Sequence, residues 1–308
     1  MMNQKISIAL CTYNGSLFVK EQLMSLFEQT YPIWEIVVVD DKSTDNTVEI
    51  ISAFAKESDI NIKIYENEVT LGYNKNFEKA CKLSKGELIA ICDQDDIWDK
   101  NKLKLLVENW NNSTLLIYCD SIRFTQKPPE TPKRSKLMQR ISGSNTKQLC
   151  LINTISGHNI LFKRELLNLC LPFPNDFYYD WWLAVVAMAN GGICHLSEYL
   201  VFQRVHSNNA TVDITIKETK KHIVENIKRV LSKQLPIFIN IPNLNKKDLE
   251  FYKTFNLLWF KKKTFINKII LFCFFVKNGR DIFSYKVRKF PWFSYIKHSY
   301  RIATNGIY

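Results

Sequence analysis

The stretch Glu87-Leu88-Ile89-Ala90-Ile91-Cys92-Asp93-Gln94-Asp95-Asp96 sets an apolar run directly before three carboxylates. A short unbroken apolar run predicts a strand buried on both faces of a sheet, from Glu87 to Cys92, with the acidic residues at its carboxyl end. Carboxylates bunched there repel one another unless positive charge arrives. Oxygen ligands at a strand end suit a hard divalent cation, Mg²⁺ or Mn²⁺, carrying a phosphorylated ligand. Acidic clusters also cap helices and fill turns, so the motif is weighed with its neighbours.

Two earlier segments repeat the pattern. Ile6 to Cys11 is apolar and ends in Thr12-Tyr13-Asn14-Gly15, and Trp34 to Val39 ends in Asp40-Asp41 followed by Lys42 to Thr47. Helical segments, Ser16 to Gln29 and Asn46 to Lys56, separate the strands. The order β-α-β-α-β predicts an α/β domain with a mostly parallel sheet flanked by helices. In such sheets ligands bind outside the carboxyl ends of the strands, so the three polar termini are expected to share one site. Thr12 and Asp41 are assigned to the nucleotide end of that site, because a carboxylate accepts the imide N–H of a pyrimidine base. Gly72 and Asn76 open the next helix.

The 308 residues carry a net charge of +12, and that charge is divided unevenly. Residues 1–213 hold 22 Lys/Arg against 25 Asp/Glu, whereas residues 214–308 hold 20 against 5. All the excess basicity therefore lies in the second part, which is expected to be a basic helical extension. It also holds the apolar run Ile269 to Val276, bracketed by Lys261, Lys262 and Lys263 before and by Lys277 and Arg280 after. The run is shorter than the ~20 residues that span a bilayer. Association with an anionic membrane surface, helices packed on the first domain, and a nucleic-acid grip are the readings of this part. No nucleic-acid motif accompanies the charge, and the membrane surface is the expected partner.

The eight cysteines show no Cys-x-x-Cys spacing, and several fall in apolar strands. They read as reduced core residues. Met1 to Lys5 runs straight into the first strand, which leaves no secretory leader, so a cytoplasmic, peripheral location is expected.

Together these motifs resemble the family 2 glycosyltransferases of the GT-A fold, over about Lys5 to Thr211. The resemblance rests on the first strand with Thr12-Tyr13-Asn14, the Asp40-Asp41-Lys42-Ser43-Thr44-Asp45 turn, and Asn67 through Asn76. It continues in Asp93-Gln94-Asp95-Asp96, Gly157-His158-Asn159, Tyr179-Asp180-Trp181-Trp182 and Gln203 through Asn209. It implies transfer of a sugar from a nucleoside diphosphate to an acceptor. It further implies that Asp95 ligates the metal, that Asp93 lies near the ribose or the metal's water, and that His206 reaches the same metal from a late loop. Asp96 joins either shell, and Arg204 is placed to take a diphosphate oxygen bidentately.

An inverting transfer needs a base for the acceptor hydroxyl, and Asp180 is the candidate. Its aromatic setting, Phe177 to Trp182, would raise its pKa. Capping of the following helix is its competing role, and the two are compatible. Trp181 and Trp182 are assigned to the acceptor, one facing outward, with core packing as the alternative. The Tyr-Asp-Trp-Trp sequence resembles rhamnosyltransferase-like members and points to a deoxythymidine diphosphate rhamnose donor, with uridine diphosphate hexoses close behind. A glycan or polyprenyl-linked acceptor at the membrane is what the resemblance implies. The rivals are an inactive membrane-bound scaffold and a nucleotidyltransferase. Against the latter, Thr12 to Lys20 contains one Gly and no Arg.

The connection Ser121 to Cys150 is expected to be a loop over the acceptor side. Helices are expected over Ile216 to Leu231 and Asp248 to Phe260, with a break at Pro236 and Pro242.

Overall fold

The computed structural model describes residues 4–110, 113–129, 139–206, 231–284, 287 and 289–305. Strands β1 (Ile6–Thr12), β2 (Glu35–Asp40) and β4 (Leu88–Asp93) are buried almost end to end, as their apolar runs require. Strand β3 (Asn61–Glu66) alternates polar and apolar residues and lies at the sheet edge, where one side meets solvent. These four pair in parallel, in the order β3-β2-β1-β4.

The sheet continues through β7 (Ile160–Lys163), β6 (Leu116–Phe124), β8 (Ile193–Arg204) and β5 (Ile97–Trp98). Here β7 runs antiparallel to both β4 and β6, so the eight-stranded sheet is mixed rather than parallel throughout. The run Ser121 to Phe124, expected as loop, completes β6 instead, paired with β8. The middle of that connection, 130–138, lies outside the described residues.

Period-two alternation along the strands divides the core. Ile6, Ile8 and Leu10 of β1 pack beneath α1 (Val19–Phe27) and α4 (Lys102–Glu108). Ala9 and Cys11 face the other way, toward α3 (Tyr73–Leu83) and α6 (Tyr179–Asn190). Helices α2 (Thr47–Glu57) and α5 (Arg164–Cys170) complete the layers. All eight cysteines are free thiols, and six of them are buried.

The basic extension joins the second of these cores. A helical stretch at 231–238, which contains Pro236, and helices α7 (Lys246–Lys261), α8 (Phe265–Ile282) and α9 (Pro291–Asn305) supply Phe238, Tyr252, Phe255, Trp259, Phe275 and Ile302 to the cluster that contains α6. The helix expected over Ile216 to Leu231 falls outside the described residues, apart from Leu231 itself.

Helix α8 packs through Leu271, Phe275, Gly279 and Ile282. Its opposite face leaves Ile266, Ile269 and Ile270 exposed. No helix among the described residues is long and apolar enough to cross a membrane.

Candidate active site

Strand register sets the tips side by side. Thr12 pairs with Asp40, and Cys11 pairs with Asp93, so β1, β2 and β4 end together. The chain leaves β1 toward β2 on one side and returns to β4 on the other, and the acidic motif emerges at that switch point. The tips open into a cleft of ≈ 490 Å³ lined by Thr12, Tyr13, Asp41, Asp93, Asp95 and Asp180 among others. A hollow of ≈ 520 Å³ also opens against α2 between Ser43, Lys56 and Glu66, but it holds no histidine and none of the acidic motif.

At the end of the cleft where a nucleotide is expected, the buried Thr12 hydroxyl donates to Asp40 Oδ2 at 2.7 Å, and its carbonyl accepts the Asp41 N–H at 2.8 Å. Thr12 therefore fixes the two aspartates. The Asp41 carboxylate accepts from Leu71 N–H, Gly72 N–H and Asn67 Nδ2 at 2.7–2.8 Å. A carboxylate offers about four acceptor positions, so these three bonds leave one. Gly72 sits at φ +80°, a conformation that costs glycine nothing and brings its N–H onto Asp41. Gln94 clamps Tyr13 in both directions, its amide accepting from Tyr13 N–H at 2.9 Å and donating to the carbonyl at 3.0 Å.

The acidic motif comes together with two histidines. Asp95 Oδ2 lies 2.8 Å from His206 Nε2, so the two expected metal ligands meet. Asp93 Oδ2 and Asp96 Oδ2 each lie 3.3 Å from His158 Nδ1, and the three residues could hold one ion. Two like charges ~4 Å apart repel by ~4 kcal/mol at an effective dielectric of ~20, so carboxylates crowded at one strand end call for positive charge. Burial, and then Asp93, push the Asp95 carboxyl above its ordinary range. Asp96 is also raised, by burial and by both neighbouring aspartates. Burial alone would lower the His158 pKa, but Asp96 and Asp93 outweigh it and hold the ring above its ordinary value. Asp96 Oδ2 is buried and accepts no hydrogen bond, its charge met by the His158 ring at 3.3 Å. Carboxylate oxygens, one of them orphaned, beside two imidazoles fit a hard divalent cation such as Mg²⁺ or Mn²⁺.

Asp180 occupies the first turn of α6, where its Oδ1 accepts the Trp181 N–H at 2.6 Å. It lines the same cleft as Asp93 and Asp95. Burial, with Asp93 nearby, raises its carboxyl to about 7.

Two assignments are corrected. Trp181 and Trp182 are 5% and 4% exposed, and their indole N–H groups donate to the Leu149 and Cys170 carbonyls. Neither ring presents a face to an acceptor; both are core, because α6 from Trp181 to Met188 is apolar on every side and buried throughout. Arg204 is the second correction. Its guanidinium pairs with Glu21, donates to the Asp95 carbonyl at 3.1 Å and lies over the Phe18 and Phe124 rings. Its backbone N–H also holds Asp96 Oδ1, so Arg204 anchors the acidic turn from behind rather than reaching a diphosphate.

The sequence reading gave no site role to His158, Lys102 or Gln94. Lys102 is fully buried, donates to the His158 carbonyl at 2.6 Å and lies against the Trp98 ring. The Gly157-His158-Asn159 triplet carried a signal, but only the insertion of β7 beside β4 brings it to the acidic motif.

Residues 7–170, a little over half of the chain, match Glycosyl transferase family 2, and the chain belongs to that family of nucleotide-sugar glycosyltransferases. Over 217 residues it is 29% identical to the Escherichia coli UDP-Glc:alpha-D-GlcNAc-diphosphoundecaprenol beta-1,3-glucosyltransferase WfgD, covering 66% of this chain and 80% of that one. The Staphylococcus aureus poly(ribitol-phosphate) beta-N-acetylglucosaminyltransferase TarS is 29% identical over 177 residues, 53% of this chain and 30% of that one. The fold matches the GT-A architecture of TarS residues 1–349 solved with UDP-GlcNAc, with TM-score 0.60 at 17% identity over 99% of this chain and 93% of that one. It also matches a Pyrobaculum calidifontis mannosyltransferase solved with GDP-Man and Mn²⁺, with TM-score 0.58 at 16% identity over 98% and 81%.

Proposed function

We propose that the cleft transfers a hexose from a uridine diphosphate sugar, with inversion at the anomeric carbon, to a lipid-linked glycan of surface-polysaccharide assembly. The observation that carries this reading is the meeting of Asp93, Asp95 and Asp180 in one strand-end cleft whose other end is Asp41, with His206 against Asp95. Asp180 takes the proton of the acceptor hydroxyl as that oxygen bonds the anomeric carbon. The bond from that carbon to the diphosphate breaks, and its electron pair leaves with the diphosphate. Asp95 and His206, with Asp93 and Asp96 beside them, are the residues to hold the divalent cation. When bound, that cation supplies the positive charge a leaving diphosphate needs.

A uridine diphosphate hexose is favoured over dTDP-rhamnose. The relative WfgD is named for UDP-Glc, TarS was solved with UDP-GlcNAc, and the tryptophans that suggested rhamnose are both buried in the core. Incubation with UDP-glucose, UDP-GlcNAc and dTDP-rhamnose, each with a GlcNAc-diphosphate lipid, checks this. Acceptor-dependent release of UDP is expected, and release of dTDP alone, or of no nucleotide, would contradict it.

The same reading places the protein peripherally on the cytoplasmic membrane face, where such acceptors lie. Ile266, Ile269 and Ile270 are 68%, 46% and 46% exposed on the outer face of α8, beside the exposed Lys261, Lys263, Lys277 and Arg280. An apolar face rimmed by cations suits an anionic lipid surface. Cosedimentation with vesicles containing phosphatidylglycerol, and not with phosphatidylcholine alone, is expected. Ile266→Asp with Ile270→Asp should abolish it, and retention by that double variant would remove α8 as the contact.

A further inference from the structure

Tyr73 and Tyr178 stand at the rim of the cleft, 44% and 37% exposed. The other aromatic residues of these two helix starts, Phe77, Phe177, Tyr179, Trp181 and Trp182, are all buried. The two exposed rings are nearly parallel, 20° apart in plane, with centroids separated by 6.5 Å. They come from the starts of two helices. Tyr73 opens α3 directly after Gly72, whose N–H is fixed on Asp41, and Tyr178 is the cap of α6. Tyr73 also meets the buried Tyr179 edge-on at 6.4 Å. The pair is thus one aromatic wall on rigid supports, its outer surface in water.

We propose that Tyr73 and Tyr178 form an acceptor-saccharide subsite, on which the apolar C–H face of a pyranose stacks while its reacting hydroxyl meets Asp180. The inference rests on the glycosyltransferase reading above. Depth argues for the acceptor over the donor. The nucleotide end is deep in the cleft, with Thr12, Asp41 and Asn76 only 2%, 4% and 2% exposed. A lipid-linked or polymeric acceptor has to continue out of the cleft into solvent, and the rim is where it passes. Proximity to the base is built in, because Tyr178 lies two residues before Asp180. Burial, with Tyr178 and Asp180 beside it, pushes the Tyr73 phenol up to about 12. It therefore keeps its proton at neutral pH, so the wall carries no charge and offers its ring faces alone. The wall takes over the role that the buried Trp181 and Trp182 cannot fill.

The test uses Tyr73→Ala and Tyr178→Ala with Tyr73→Phe and Tyr178→Phe as conservative partners, all in the full chain. Both positions are exposed, and unchanged melting temperatures establish that the variants fold. Calorimetry measures UDP and UDP-glucose binding, and steady-state kinetics use a synthetic GlcNAc-diphosphate lipid as the acceptor. In each Ala variant the acceptor KM is expected to rise about tenfold, the change expected of one lost stacking contact. Affinities for UDP and UDP-glucose stay unchanged, and the Phe variants keep the wild-type KM. An unchanged acceptor KM in both Ala variants overturns the subsite. So does a weakened UDP-glucose affinity with UDP unaffected, which assigns the wall to the donor sugar. A wild type that binds no UDP removes the glycosyltransferase reading itself, an outcome distinct from either.

Discussion

Asp180→Asn is expected to lower sugar transfer by about a thousandfold while leaving UDP affinity unchanged, since a positioned general base contributes roughly 10²–10⁴. The amide is nearly isosteric, and its oxygen still accepts the Trp181 N–H that holds Asp180 in the first turn of α6. What it loses is the ability to take a proton. The pH dependence gives a second signature. The Asp180 carboxyl is raised to about 7, so in the wild type the active, ionised form is lost as pH falls. A cation beside Asp93 offsets part of the charge that raises it, so the acidic limb of kcat/KM is expected at or below about 7.

The variant has no such limb. Its stability should also move in the opposite direction to its activity. A carboxyl whose folded pKa exceeds its unfolded value favours the native state below the unfolded pKa and loses that contribution as pH rises through the folded pKa. At pH 8 the ionised Asp180 therefore costs stability, and the Asn variant should melt no lower than the wild type. Turnover equal to wild type would remove Asp180 as the base.

Asp95→Ala is expected to weaken Mn²⁺ binding in the presence of UDP by a hundredfold or more, because even groups that only support a ligand cost 10–100-fold. Equilibrium dialysis with Mn²⁺ checks this without reference to turnover. Asp95 sits against His206 and beside Asp93, which raises its carboxyl. Removing it also relieves the repulsion on Asp96, so the Asp96 pKa falls toward its ordinary range. The metal-free variant is accordingly expected to be at least as stable as the metal-free wild type at neutral pH. Loss of the metal site with gain of apo stability would mark a carboxylate kept for its ligand. Wild-type Mn²⁺ binding in the variant would transfer the site to Asp93, Asp96 and His158.

The strand tips were legible because an apolar run ending in polar residues constrains both burial and direction. Thr12, Asp41 and Asp93 follow from that rule and converge. The meeting of His206 with Asp95 was also readable, through the family pattern rather than through spacing. What escaped depends on contacts between distant parts of the chain. His158 reaches Asp93 and Asp96 only because β7 runs antiparallel between β4 and β6. Arg204 looked free to bind phosphate until Glu21 and the aromatic rings of Phe18 and Phe124 claimed it. Trp181 and Trp182 carry no sign in the sequence of which way they face, and α6 is covered by Phe238 and its neighbours from the basic extension. That cover fills the space around the tryptophans and leaves the rim to Tyr73 and Tyr178.

The central claim is that this strand-end cleft binds a nucleoside diphosphate together with a divalent cation. Thermal unfolding of the wild type with UDP, with Mn²⁺ and with both measures it directly, since a ligand that binds the native state raises its melting temperature. The account predicts a shift with UDP and Mn²⁺ together that exceeds the sum of the separate shifts and vanishes in Asp95→Ala. A UDP shift that is the same with and without Mn²⁺, or the absence of any shift, would contradict it.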